Sequence, residues 1–399
     1  MHHKNLILIL AAALTVSACG DWGFGEAYEF ASLNRLTVQA VYPEGLALRS
    51  GAKVTVADIA EGSTYTLTTD GGGRAWTQLP NGVYRISVRD HEGEDILNAT
   101  RDKVIVSGGD LEVSLQLKRS KPGKVVIKEI YNGGCLKLPK EGDYQSDQYI
   151  LLHNNSVDPY YLDGLCMGYV APYNSQGNNN WVAADGTLPD FIPVLDAVLM
   201  MPGAGNDFPL QPGEDAIVCL RGAIDHTLEY PLSVNLNRPD VFVCYDPVYF
   251  DKAEYHPTPG DKVDPKRYLE IVIKVGQSKA TALSVTSPAF ILFRAPDGTD
   301  IHTWVQDNIR QAKSEKAVAV PPDWVIDGVD VFTGLSTSNK KRLPDTIDAG
   351  FVTLSVNKKG HTLMRKVDPD ADLGFEFLQD TNNSTEDFYE RETQSLHED

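Results

Sequence analysis

The side chains that could carry chemistry are scattered along the chain. Beyond the first twenty residues stand His91, His153, His226, His256, His302, His361 and His397. Asp225 beside His226, and Asp300 near His302, could each set a carboxylate against an imidazole. In a chain this rich in Asp such neighbours arise by chance. There is no G-x-S-x-G, no H-E-x-x-H and no G-x-x-x-x-G-K, the spacings that build a nucleophile elbow, a zinc helix or a phosphate loop. No catalytic residue is assigned, no cofactor is expected, and the chain is not read as an enzyme.

Three other groups offer binding chemistry. Asp368, Asp370 and Asp372 alternate in "DPDADLG", a spacing at which loop carboxylates converge on a hard cation. Gln379 stands at the twelfth place, where a calcium loop supplies Glu, and Gly374 comes one place late. A solvated acidic turn is the competing reading. Residues 159–181, "PYYLDGLCMGYVAPYNSQGNNNW", set Tyr160, Tyr169, Tyr173 and Trp181 beside Asn178 and Asn180. Rigid aromatics next to adaptable amides suit recognition by stacking and hydrogen bonding, with a saccharide or a peptide as the ligand. The same letters also describe a core strand running into a polar loop. Trp181 divides the readings, as a ligand anchor in one and a core residue in the other. Cys135, Cys166, Cys219 and Cys244 allow three disulfide pairings. Cys135–Cys166 and Cys219–Cys244 close the shortest loops, and free buried thiols are the alternative.

The elements that must position these groups are strands. "RLTVQAVY", "KVTVAD", "TYTLTT", "GVYRISV" and "DLEVSLQL" all alternate apolar and polar residues within 35–118, the pattern of half-buried strands. Asp70-Gly71-Gly72-Gly73 and Pro80-Asn81-Gly82 punctuate them. Many short strands with such turns predict a β-sandwich. "SKPGK", residues 120–124, marks a boundary to a second β unit. One helix is expected, over 302–317, with Trp304, Ile309 and Ala312 on one side and Pro321 ending it.

Location follows from the start of the chain. Lys4 precedes an apolar run, Leu6 to Val16, too short for a bilayer span of roughly 20 residues. The run ends in Val16-Ser17-Ala18-Cys19, which resembles a bacterial lipobox. That resemblance implies a signal peptide over 1–18, cleavage before Cys19, lipidation of Cys19 and a tether over 19–34. Several acyl chains on one cysteine would hold the protein on a membrane, since each buried methylene contributes about 0.8 kcal/mol. An outer-membrane lipoprotein facing the cell surface or the periplasm is expected. The formal net charge of −19, with Lys340-Lys341-Arg342 as the longest basic run, excludes nucleic acid as a partner.

Several segments resemble known families. "GAKVTV … YTLTTDGGGRAWTQLPNGVYRISV" is similar to collagen-adhesin B-type and carboxypeptidase-regulatory-like domains, which implies a spacer over 35–119. "KVVIKEIYNGG", "DQYILLHNNSVDPYYLDGLCM" and "GHTLMRK" resemble lamin-tail-type immunoglobulin-like domains. Their motif positions fall on Glu129, Asn154, Leu162, Gly164, Leu363 and Arg365, while Leu151 stands where that family often has Glu. This implies a second domain over 123–392, with long inserts near 170–208, 222–286 and 306–345. The expected fold class is therefore mainly β, two immunoglobulin-like β-sandwich domains, the second with long inserts. The whole layout resembles an uncharacterised family of roughly 400-residue lipoproteins from gut Bacteroidota. Asp345-Thr346-Ile347 resembles their short O-glycosylation motif, which points to Thr346. The expected function is a non-catalytic binding or accessory module in nutrient uptake, beside an outer-membrane receptor. A structural or adhesive stalk is the alternative.

Overall fold

The computed structural model describes residues 33–369 and 371–397. Cys19 and the segments before and after it, up to residue 32, lie outside the described residues, as does Asp370. The first unit contains β1 (Asn34–Val41), β2 (Lys53–Asp58), β3 (Thr64–Thr68), β4 (Arg74–Leu79), β5 (Gly82–Glu92), β6 (Asp95–Val106), β7 (Leu111–Gln116) and β8 (Lys118–Ser120). They form two sheets, β4-β1-β7 and β3-β2-β5-β6-β8. Alternation does what the sequence implies. Leu36, Val38 and Ala40 of β1 meet Val54, Val56, Ile86, Val88, Val113 and Leu115 in one core. The residues of that core all fall between Leu36 and Leu117.

The second unit runs through β9 (Val125–Tyr131), β10 (Cys135–Leu136), β11 (Asp143–Tyr144), β12 (Tyr149–Asn154), β13 (Tyr160–Tyr161), β14 (Cys166–Val170), β15 (Ile192–Met200), β16 (Pro209–Leu210), β17 (Asp215–Cys219) and β18 (Val241–Val243). It continues with β19 (Glu270–Lys274), β20 (Ala289–Phe293), α1 (Ile301–Asp307), β21 (Ile309–Ala312), β22 (Glu315–Val320), β23 (Val325–Thr333), β24 (Val352–Leu354), β25 (Thr362–Arg365), α2 (Ser384–Asp387) and β26 (Phe388–Arg391). A six-stranded sheet, β18-β17-β12-β9-β25-β26, faces an eight-stranded one, β21-β22-β15-β14-β20-β23-β24, whose β15 also pairs β19. Ile127, Ile150, Leu152 and Val218 from the first meet Met167, Leu199, Phe290 and Val329 from the second. The molecule is thus mainly β, and its layers are sandwiches.

The central strands are buried on both faces: every residue of β12, β14 and β20 is buried. The inserts supply the outer cover. Ala223, Val234, Leu236 and Val263 lie over Leu151, Ile217 and Val243 on the six-stranded sheet. Val305, Leu343 and Ile347 lie over Cys166, Ile291 and Phe293 on the other. This accounts for Leu151: its face of the strand is roofed, and a charge there would be stranded without water.

The expected helix over 302–317 is corrected. Asp300 caps α1 by accepting from His302 N at 3.1 Å, but the helix stops at Asp307. Residues Ile309 to Val318 instead form the β21–β22 hairpin, turning at Lys313 with φ 53. Ile309 and Val318 gain sheet partners and the outer core, which outweighs the weak helical periodicity.

The two units touch along the outer sides of β2, β5 and β6. Lys53 and Arg89 both reach Glu386, at 3.0 and 3.1 Å. Asn98 Nδ2 donates to the Thr381 carbonyl at 2.6 Å. The Arg85 guanidinium lies over the Phe351 ring. In the connecting "SKPGK", Gly123 N donates to Asp380 at 2.6 Å, which pins the linker.

Candidate ligand-binding cavity

A change of partner along one edge of β15 opens a cavity. Ile192–Val194 of β15 pair with β22, whereas Ala197–Met200 pair with β19. Between them Asp196 takes a left-handed backbone, φ 62, a conformation Asp adopts more readily than most residues. Its carbonyl accepts from Val275 N at 2.8 Å and Gly276 N at 3.1 Å. Gly276 is required for this approach, because a Cβ there would lie 2.3 Å from Asp196 Oδ1. On the other side Gly168 makes room for Val194, whose Cγ1 would lie 2.4 Å from an added Cβ. The gap widens into a cavity of about 600 Å³, whose lining includes Tyr173, Asp196, Arg221, Gln277, Glu315 and Lys316.

Asp196 and Arg221, two charged groups of this lining, have no ion-pair partner among the described residues. Burial pushes the Asp196 carboxyl up to about 6, against the pull of Lys274. Among the described residues no hydrogen bond or ion pair reaches that carboxylate. Arg221 is 9 % exposed. Its Nε donates to the Thr281 carbonyl at 3.0 Å and its Nη1 to the Gln145 carbonyl at 2.8 Å. Its guanidinium lies over the Tyr255 ring at 4.5 Å. Backbone carbonyls and a ring thus orient Arg221, with no carboxylate in ion-pair range among the described residues. Burial lowers its pKa first of all, while Tyr173, Tyr169, Tyr255 and Asp147 oppose that. Tyr173 is 46 % exposed. Burial raises its hydroxyl pKa, Arg221 lowers it and Asp196 raises it, so the hydroxyl lies within the field of both charges.

The Tyr/Asn-rich segment contributes to this cavity unevenly. Tyr173 and Tyr169 line it, but the Tyr169 hydroxyl shares a hydrogen bond with Thr281 and its ring packs on Phe290. Trp181 is half-buried and belongs to neither expected role: its indole donates to Glu315 and packs edge-on against Phe191 at 5.8 Å. It braces the loop to the β21–β22 hairpin at the cavity's edge. Asn178 is exposed and Asn180 half-buried, and neither lines the cavity. Tyr160 belongs elsewhere, under Arg294, whose Nε donates to its hydroxyl at 3.2 Å. Arg342 holds the segment at Pro172. It is fully buried, paired with Asp330 at 2.7 Å, and donates to the Pro172 carbonyl at 3.1 Å.

The other expected sites lie apart from this cavity. The four thiols are free and buried. Cys219 faces the outer core of the six-stranded sheet and Cys244 the inner core, so backbone neighbours present their sulfurs to opposite faces. Cys135 Sγ lies 3.6 Å from Asp147, while Cys166 lies under the outer cover of the eight-stranded sheet. Burial pushes the Cys135, Cys166 and Cys219 thiols up to about 12. Among the described residues no group of acidic, His or Cys side chains could hold a metal. Of the acidic triad, Asp372 is exposed, Asp368 half-buried and Asp370 outside the described residues. Thr346 is half-buried in the seam between units, beside Asp345, which accepts from Thr100 N at 3.3 Å. The Asp-His neighbours behave as chance adjacencies, each finding other partners. Asp225 caps Thr227, while His226 bonds Tyr144 and the Gly222 carbonyl, each at 2.6 Å. His302 meets Glu270 at 3.3 Å.

Sequence reasoning missed Asp196, Arg221 and the buried pairs of the second unit. Arg365 reaches Asp327 at 2.6 Å and Asp380 at 3.2 Å, with Asp387 at 3.6 Å. Burial raises the Asp327 and Asp387 pKa values despite that guanidinium. The resemblance marked Arg365, but nothing in the spacing disclosed its partners.

A model of the family described as "Protein of unknown function (DUF4876)" matches residues 211–395. The chain is similar to the crystal structure of a DUF4876 family protein from Bacteroides thetaiotaomicron VPI-5482. The TM-score is 0.57 at 22% identity, over 89% of this chain and 94% of that one. A DUF3823 family protein from Parabacteroides merdae ATCC 43184 matches with a TM-score of 0.18 at 15% identity, over 38% of this chain and 73% of that one. No curated protein matches. The family match thus covers the later part of the second unit, and the chain shares the fold of the Bacteroides protein.

Proposed function

We propose that the protein is an exported lipoprotein, anchored in the outer membrane through Cys19, which binds a small ligand without transforming it. The observation that carries the binding reading is the cavity where β15 changes partner. Asp196 stands there half-buried with no hydrogen-bond partner for its carboxylate among the described residues, and Arg221 stands buried, oriented by two carbonyls and without an ion-pair partner. Burying such charges costs stability that folding alone does not recover, and perturbed groups in a cleft are the mark of a site. The resemblances supply the remainder: immunoglobulin-like units, a spacer first, and service beside an outer-membrane receptor in nutrient uptake.

The test is a thermal-shift screen of the mature chain against metabolites, oligosaccharides and short peptides, repeated with Tyr173→Ala. A ligand that raises Tm in the parent, and not in the variant, supports the reading. A screen without any such ligand overturns it. Turnover of a bound ligand overturns the non-catalytic part.

A further inference from the structure

Resting on that binding reading, the chemistry of the cavity narrows the ligand. Its four charged lining groups are Arg221, Lys316, Asp196 and Glu315, which sum to zero. An anion drawn to Arg221 would meet Asp196 and Glu315, and a cation drawn to Asp196 would meet Arg221 and Lys316. Glu315 is already engaged by the Trp181 indole. What remains open is one acceptor, Asp196, and two donors, Arg221 and the exposed Lys316, with the Tyr173 hydroxyl in the field of Asp196 and Arg221. A ligand hydroxyl both donates and accepts, so a row of hydroxyls satisfies these groups together and brings no charge of its own.

An extended peptide fits less well. It would add to a strand edge through main-chain hydrogen bonds, and the one gap in β15 is already closed. The Asp196 carbonyl there accepts from both Val275 N and Gly276 N. Recognition falls to side chains. The half-exposed Tyr173 ring offers a stacking face at little entropic cost. The cavity, about 600 Å³, lies within the size range of small-molecule sites.

We infer that the cavity binds a neutral oligosaccharide of about two or three rings, one ring stacked on Tyr173, with hydroxyls donating to Asp196 and accepting from Arg221.

The experiment is calorimetric titration of the full mature chain with maltotriose, cellotriose, mannotriose, xylotriose and galactotriose, beside tri-alanine and galacturonic acid. Tyr173→Ala and Asp196→Asn are titrated in parallel, with Tm measured on each preparation. At least one neutral sugar should bind the parent, and each variant whose Tm is not lowered should lose about tenfold or more in affinity. Tyr173 is surface-accessible, so its variant keeps the test decisive even where Asp196→Asn alters the fold. Sugar binding that Tyr173→Ala leaves unchanged overturns the inference, as does absence of binding by all five sugars. Tyr173-dependent binding of tri-alanine or galacturonic acid, without the neutral sugars, overturns the inference while leaving the wider binding reading standing.

Discussion

Asp196 combines three costs at one residue: a left-handed backbone, burial and no protein partner for its carboxylate. The groups around it are Lys274 on β19, Tyr169 and Tyr173 at the end of β14 and just beyond, Cys244 after β18, and Glu315, Lys316 and Arg221 across the cavity. Its carboxyl is held near 6, above the ordinary 3.8, so the folded chain keeps a proton that the unfolded chain has released. Stability tied to this group is therefore complete below about pH 4 and falls as pH rises to about 6. Asp196→Asn removes the titration. It should stabilise the fold by about 1–2 kcal/mol at pH 7.5, after discounting for contact with solvent, and by much less at pH 4. Urea unfolding at the two pH values checks this, and an equal gain at both would assign the effect to backbone strain instead.

Strands of the second unit behave differently from those of the first because their outer faces are covered. β1 alternates buried and part-exposed positions, while β12 is buried throughout. Leu151, 4 % exposed, packs beneath the 222–263 insert with Val234 and Val263. Leu151→Glu, the residue type of the resembled domains, should cost at least about 3 kcal/mol, since it buries a carboxylate in an apolar layer. A chemical denaturation midpoint close to that of the parent would show that the insert lifts off the sheet. The β21–β22 hairpin is a second case. Its residues look helical in isolation, yet they gain more as an edge ladder, and the turn at Lys313 brings Glu315 to the cavity wall.

At the scale of the molecule, the first unit owns its core, and its contacts with the second include polar and ionic ones at Lys53, Arg89 and Asn98 and the stacking of Arg85 on Phe351. A fragment of residues 33–120 should therefore melt cooperatively on its own, because its apolar residues are already covered. A broad, non-cooperative transition by circular dichroism would mean that docking supplies part of the core. Membrane attachment rests on another part of the chain. Cys19→Ala should leave the circular dichroism spectrum and Tm unchanged but move the protein from the membrane pellet to the soluble fraction. A variant that still pellets after a high-salt wash would remove the lipid anchor from the account.

The sequence by itself determined the class of the fold. Period-two runs such as "RLTVQAVY" depend on local geometry alone, so they name strands and their inward faces without tertiary help. The Tyr-rich segment also pointed to the neighbourhood of the cavity, since Tyr173 lines it and Trp181 braces its edge. Only the tertiary structure decided the site itself. Asp196 and Arg221 are 25 residues apart in the chain, and neither lies in a motif. Their exposure to one cavity depends on where β22 ends and β19 begins along β15. Likewise the four cysteines were compatible with bridges until the sheet assigned Cys219 and Cys244 to opposite faces. Strand registers and the routing of inserts are long-range choices, settled by which surfaces can cover one another, and no local spacing encodes them.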